Sequence, residues 1–502
     1  MENPASILAT GHLLTTLLLL PFVGMLMVTG LRHPGRIRVV ALACALLTLG
    51  VACRIWANFD YGIAGLQFIH RVPFPLGFFE YAVGVDGISL PLVLLTTLLV
   101  PLCMLASWRV KNPRPFMLLI LMVEFAVTGV FTAADAFLFL LFWEAAMIPM
   151  YFVIAFWGGP GRIKAAIKFL LFSVGGSLLL GFGIEALHHF GGTFDMAQLA
   201  QQVYAPDVQL LVFVPVFLGF AIKVPMLLVH GWIADAHGEA PAAGSAILSG
   251  LLLKMGTYGL LRFCVAILPG ASQSFAPLAQ WLSVFAILYG GSLALAQSDF
   301  KRLIAYSSIA HMGFVTLGIF GLGMQSTQGA LLQMVNHGIT TGALFLLVGM
   351  LYERTHDRTI SHYGGLHEVM PGFARLTTLF TVASFGLPGT GSFIGEFLVL
   401  SGTVGQSPLM VLLVLLGIVL GAAYMLWMFQ RLVLGPVNPY VAGLPDLTRR
   451  ERAAVIPLAI MVFALGLYPR LVLDLTETTV TALVETASRA EPLALTAALM
   501  EL

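Results

Sequence analysis

Apolar runs of about 20 residues, separated by short polar stretches, recur along the whole chain. At 1.5 Å per residue, about 20 apolar residues in a helix cross the roughly 30 Å hydrocarbon core of a bilayer. By that rule the pattern predicts 14 membrane-spanning helices, centred near residues 21, 46, 97, 123, 146, 176, 219, 257, 286, 311, 338, 389, 421 and 462. The seventh is broken at Pro225 and the twelfth at Gly386-Leu387-Pro388-Gly389-Thr390-Gly391. The longest polar stretches (57–86, 188–207, 351–372 and 435–452) are loop-sized, so residues 1–502 read as one all-α, polytopic integral membrane domain. Within it, 1–110 holds helices 1–3, 111–270 helices 4–8, 271–435 helices 9–13, and 436–502 helix 14 and a tail. From Asp474 that tail mixes charges with Ala and Leu, as a surface helix would. The two broken spans lie five apart. An odd offset reverses topology, so helices 4–8 and 9–13 are expected to be inverted repeats, although no strong residue-level self-similarity marks them.

Basic residues choose the orientation. Arg32, Arg36, Arg38, Arg109, Lys111, Arg114, Arg162, Lys164, Lys301, Arg302, Arg354, Arg358, Arg375, Arg431, Arg449, Arg450 and Arg452 lie on loops after odd-numbered spans. Only Arg54, Arg71, Arg262, Arg470 and Arg489 lie on even loops, span ends or the tail. The odd loops are therefore expected to be cytoplasmic and both termini periplasmic, in a bacterial inner membrane. The first basic residue is Arg32, so the basic start of a secretory signal is missing, and Leu13–Gly30 reads as the first span.

Composition narrows the function. Charged residues make up 10% against about 25% in soluble domains, and mean hydropathy is +0.95. A large soluble protein and a disordered chain are excluded. A net charge of +1 offers no basic field to nucleic acid. Cys44, Cys53, Cys103 and Cys264 fall in apolar segments without close metal-ligand spacing and read as buried hydrophobes, so no metal site is expected. No phosphate-binding glycine loop of Walker or dinucleotide type is present, and no cofactor is expected in this chain.

Against this background four ionisable residues stand out inside apolar spans: Glu144, Lys223, Lys254 and Glu396. Each costs roughly 2.5–3.5 kcal/mol at mid-membrane on insertion scales, and such residues mark ion pathways. Three lie beside a break. Glu144 precedes Pro149, Lys223 precedes Pro225, and Glu396 follows the segment containing Pro388, Gly389 and Gly391. Proline removes a backbone donor, so the carbonyls of Ala145, Ala221 and Ser384 lose their usual helical partner. Such backbone must be buried in protein or line a wet cavity, and broken helices paired with charges are how many transporters build ion sites. His311 and His337 in spans 10 and 11, with His230 and His237 around the seventh, are relay candidates, because imidazole accepts on one nitrogen and donates on the other. Tyr306, Ser307, Ser308, Thr340 and Thr341 could complete proton wires. If Glu144 and Lys223 approach to about 4 Å, their attraction is about 4 kcal/mol at an effective dielectric of 20. Moving one partner would then switch the lysine from holding a proton to giving it up. Plainer readings exist: a static Glu144–Lys223 pair, Glu396 as a cap on the break, and hydrogen-bonded interior histidines. Glu124, also mid-span, is a secondary candidate that reads more readily as a structural hydrogen-bond partner. Lys168 is expected to snorkel. Asp86, Asp135, Glu185 and Asp299 are expected at interfaces, solvated or capping helices.

These motifs resemble a known family. Lys223-Val-Pro, His230-Gly-Trp-Ile-Ala-Asp235-Ala-His237-Gly-Glu-Ala-Pro241 and Asp299-Phe-Lys-Arg-Leu-Ile-Ala-Tyr-Ser-Ser-Ile-Ala-His311-Met-Gly look like signatures of the antiporter-like subunits of respiratory complex I. Phe142-Trp143-Glu144, Leu253-Lys254 and Pro388-Gly-Thr-Gly-Ser-Phe-Ile-Gly-Glu396-Phe extend the resemblance over nearly the whole chain. A glutamate at 396, and a length that leaves no residues for a long lateral helix, set it nearest the chain M branch (subunit 4 in mitochondria). The resemblance implies 14 helices with the inverted repeats named above. It implies that Glu144 and Lys223 form a modulating pair, Lys254 a central relay, and Glu396 a terminal site reached through His311 and His337. It also implies proton transport from cytoplasm to periplasm within an NADH:quinone oxidoreductase, beside neighbouring antiporter-like subunits. FMN, iron–sulfur clusters and quinone would then lie in other subunits. A subunit of a multi-subunit Na⁺/H⁺ antiporter or of a membrane-bound hydrogenase is the alternative, since these share the fold.

Overall fold

The computed structural model describes residues 4–73, 79–405 and 407–493. Helices dominate, and thirteen of the fourteen expected span centres fall on one. The other, residue 389, falls in a gap between Pro371–Ser384 and Gly391–Thr403, where the break was expected. Among the described residues eleven helices are long and apolar enough to cross a membrane. The other three expected spans rest on shorter or bent elements. Leu90–Ala106 has 17 residues, the pair around residue 389 is broken, and Arg449–Leu467 meets Arg470–Arg489 at 64°. The Arg470–Arg489 helix covers the start of the tail expected as a surface helix, whose part after residue 493 lies outside the described residues. It buries Leu475, Val480 and Leu483, and Thr478 and Thr479 donate to the carbonyls of Tyr61 (2.5 Å) and Ala64 (3.1 Å). A small antiparallel hairpin, Gln67–Pro73 with Glu80–Val85, lies between the second and third helices.

Polarity sets where each helix sits. Ala242–Val265, Phe300–Phe320 and Met324–Thr355 are almost wholly buried and form the centre. These helices carry Lys254, His311 and His337. Outer helices such as Arg162–Gly191 and Pro408–Val433 expose Leu171, Leu178, Leu412 and Val419, an apolar rim suited to lipid or a membrane partner. Cys53 belongs to the exposed surface as well, contrary to the expectation that all four cysteines are buried. Its helix packs through the face of Cys44, Ala45, Thr48 and Ala52, which turns position 53 outward.

Aspartates begin two of these helices as expected. Asp135 accepts from the Leu138 amide (2.8 Å), and Asp299 from those of Lys301 (2.8 Å) and Arg302 (3.0 Å). Asp135 also forms an isolated bridge with Asp195, and Asp299 one with Thr359, at the same chain separation.

Candidate functional site

Lys254 lies fully buried in a helix whose regular turn, Leu253–Gly259, is flanked by π-helical turns at Leu248–Leu252 and Leu260–Val265. A π turn interrupts the i→i+4 ladder and is frequent at functional sites. Lys254 Nζ donates to the Ser249 carbonyl (2.5 Å) and lies 2.6 Å from His337 Nδ1. Lys254 therefore joins Lys223 and Glu396 beside a helix irregularity, one that no proline announces.

The chain of groups continues from there. The His337 and His311 rings are 5.5 Å apart between centroids. His311 Nδ1 is 3.4 Å from Glu396 Oε1, and its Nε2 is 3.4 Å from Ser384 Oγ. Gln333 Nε2 donates to Glu396 Oε1 (3.1 Å). Gln333 precedes His337 by four residues on one helix face, and that spacing was the available sequence signal for it. Gly386 closes the far side. Its φ of +74° favours glycine, and a Cβ there would come 2.9 Å from Glu396 Oε2, so a larger residue would push on the carboxylate. Lys254, His337, His311 and Glu396 thus form one buried series.

Lys223 and Glu144 do not make the close approach considered above. Lys223 ends the helix Pro206–Lys223, with Nζ 5.4 Å from the Trp143 ring centre, 5.2 Å from that of Phe169, and 3.5 Å from Ser173 Oγ. Among the described residues no ion pair within 4.0 Å joins it to Glu144, which lies within electrostatic range. Trp143, the neighbour of Glu144, offers its ring face to the ammonium and anchors its own Nε1 on Ser177 (3.2 Å). The approach to about 4 Å is therefore not made in this state.

The breaks are partly healed. Met226 N donates to the Ala221 carbonyl (2.9 Å), so that carbonyl is not orphaned, and Leu387 N reaches Val382 O (3.0 Å) in the twelfth span. The helix Ala136–Trp157 runs on through Pro149. Pro225 opens an irregular stretch before Ile233–Glu239, in which Leu228 has a φ of +79°. Pro388 and Gly389 lie in the corresponding gap before Gly391, which starts the Glu396 helix.

The remaining candidates stand apart from the series. His237 is fully buried and stacked on Phe345 (4.9 Å), and both its ring nitrogens lack a hydrogen-bond partner among the described residues. His230 sits edge-on to Tyr289 (5.2 Å). Glu124 is fully buried, yet among the described residues neither carboxylate oxygen has a hydrogen-bond partner, which contradicts its reading as a structural one. Lys168 does not simply snorkel. It pairs with Asp235 (2.7 Å), which also holds Arg302 (2.7 Å).

Comparison with known proteins agrees with this architecture. Residues 13–130 match the amino terminus of NADH-ubiquinone oxidoreductase chain 4, and residues 133–421 the NADH:quinone oxidoreductase/Mrp antiporter transmembrane family. NADH-quinone oxidoreductase subunit M of Rhodobacter capsulatus is 42% identical over 461 residues, covering 89% of this chain and 90% of that protein. The chain belongs to the subunit M (chain 4) family. A chain of respiratory complex I from Thermus thermophilus matches with a TM-score of 0.88 at 30% identity, covering 95% of this chain and 99% of that one. A chain of the Mrp complex from Dietzia matches with a TM-score of 0.84 over the same shares, but at 19% identity it shares the fold alone. Among subunit M family members, then, the buried Lys–His–His–Glu series is the feature of this chain that calls for a function.

Proposed function

We propose that this chain is a proton-translocating membrane subunit of an NADH:quinone oxidoreductase in a bacterial inner membrane, carrying protons from the cytoplasm to the periplasm. The observation that carries the reading is the buried series Lys254–His337–His311–Glu396, a run of titratable groups inside an apolar bundle. Lys254 receives the proton and His337 and His311 pass it on. Glu396, held by Gln333 beside a broken helix, is the terminal site. Glu144 and Lys223 modulate the input. Their separation in this state leaves Lys223 in a cage of Trp143, Phe169 and Ser173, from which movement toward Glu144 would change its hold on a proton. Redox chemistry with FMN, iron–sulfur clusters and quinone belongs to partner subunits. The identity to subunit M over nearly the full length favours this reading over an antiporter subunit, which shares the fold at 19% identity.

The test is NADH-driven acidification of inverted membrane vesicles carrying Lys254→Met, with assembly confirmed. Loss of acidification together with coupled NADH:quinone turnover is expected. Wild-type acidification in the assembled variant would overturn the reading.

A further inference from the structure

On the face carrying the basic loops, a cavity of about 110 Å³ opens between Trp157, Glu239, Pro241, Tyr352, Arg358 and Lys301. Lys301 belongs to a loop pair that orients the chain by its charge, yet its side chain turns inward and is only 5% exposed. Its Nζ donates to the Ala240 carbonyl. The nearby acids are engaged elsewhere. Asp299 holds Arg358 (3.3 Å), Asp235 holds Lys168 and Arg302, and Glu239 accepts the Gly161 amide (2.9 Å). Among the described residues Lys301 has no ion pair within 4.0 Å, so it is a buried cation at the edge of a cavity, held by the Ala240 carbonyl.

Two observations point inward from it. His237, fully buried with both ring nitrogens unpartnered, lies within electrostatic reach of both Lys301 and Lys254. Along the helix Phe300–Phe320, Lys301, Ser308 and His311 follow one another at i, i+7 and i+10, on one face. Ser308 Oγ is 3.3 Å from Ser249 Oγ, and the Ser249 carbonyl accepts from Lys254.

We propose that Lys301 is the proton-loading group at this mouth, passing protons from cavity water through His237 to Lys254. This deepens the reading above and rests on it. In the step, an N–H bond of the Lys301 ammonium breaks as, by way of intervening water, an N–H bond forms on one His237 ring nitrogen; the other ring nitrogen releases its proton toward a neutral Lys254, and a hydronium ion from the medium restores the Lys301 ammonium and leaves water. No other reactant takes part. The simpler role for Lys301 is to cap the Ala240 carbonyl at the end of Ile233–Glu239. Arginine separates the two roles, because it can donate to that carbonyl but cannot give up its charge.

The experiment compares Lys301→Arg, Lys301→His, Lys301→Gln and Lys254→Met in the assembled complex, reading the initial rate of NADH-driven vesicle acidification. Lys301→Arg is expected to slow it at least about a hundredfold, the lower end of the range typical of a lost proton-transfer group, and Lys301→His to retain most of it. Wild-type acidification in Lys301→Arg overturns the proposal and leaves the capping role. If Lys301→Arg does not assemble, equal rates in Lys301→His and Lys301→Gln overturn it instead, since both lose the ammonium and only histidine titrates. Lys254→Met separates the two levels. If it pumps normally the parent reading fails, whereas if it is inactive while Lys301→Arg pumps, only the entry proposal fails.

Discussion

Gly466→Ala tests whether the break beside Glu396 is held in place from outside the proton series. A Cβ at residue 466 would lie 2.6 Å from both the Gly389 carbonyl carbon and Thr390 Cα, and nearer still to the Gly389 oxygen. All three are backbone atoms and cannot rotate away. Ordinary carbon–carbon contact is 3.5–4.0 Å, so the break must retreat by about 1 Å. Glu396 rides on the helix that starts at Gly391, immediately after that break. A shift of that size takes the 3.4 Å contact between His311 and Glu396 to about 4.4 Å. With His311 protonated, the attraction at an effective dielectric of 20 falls from about 5 to about 4 kcal/mol. One kcal/mol is about a fivefold change in occupancy, so acidification by inverted vesicles should fall about fivefold at normal complex abundance. Gly50→Ala, where an added Cβ meets nothing within 4 Å, is the control and should pump normally. Wild-type pumping in the assembled Gly466→Ala complex would refute the argument that the break positions Glu396.

Three further outcomes follow from the same geometry. Gln333→Leu removes the donor to Glu396, a hydrogen bond to a charged group worth about 1.5–3 kcal/mol, and should slow acidification roughly tenfold or more without lowering complex abundance. Arg262 pairs with the buried Asp86 at 2.5 Å, so Arg262→Gln should cost about 3–5 kcal/mol, seen as earlier thermal aggregation of the solubilised complex. Asp86→Asn can keep the bonds from the Ile88 and Ser89 amides (3.0 Å each), and the double variant should be less damaged than the sum of the two. Burial opposes the charged form of Asp357, but hydrogen bonds from His362 and from the Thr359 and Arg358 amides outweigh it and hold the carboxyl at about 2. A depressed carboxylate stabilises the fold above its ordinary range near 4, and that contribution is lost as pH falls through about 2. Hydrogen-exchange protection of the 357–363 loop, corrected for intrinsic rates, should therefore persist at pH 5 and vanish near pH 2; protection unchanged at pH 2 would sink this.

How much of the site was legible depends on what a residue costs in hydrocarbon. Glu144, Lys223, Lys254 and Glu396 were visible because an ionisable group in an apolar run is expensive enough to be rare. The breaks were visible because Pro225 and Pro388 remove donors. The helix starts were visible because Asp135 and Asp299 have a local capping role. Hidden were the features fixed between helices. The π turns around Lys254 occur where Gly250 and Gly259 let Leu99 and Phe220 press close, a tertiary fit that no periodicity encodes. That Trp143 rather than Glu144 faces Lys223 was hidden for the same reason: which of two adjacent side chains faces a lysine is set by packing across helices. Lys301 was misplaced because a basic residue two positions past a helix cap reads as loop, while the chain turned it inward to meet Ala240. Gln333 was missed because a neutral amide costs little and so leaves little trace in hydropathy, although it holds the most conspicuous carboxylate in the chain. A charge in a membrane announces itself by its cost. The neutral group that relieves that cost does not, and it has to be sought one helical turn away from the residues that are already visible.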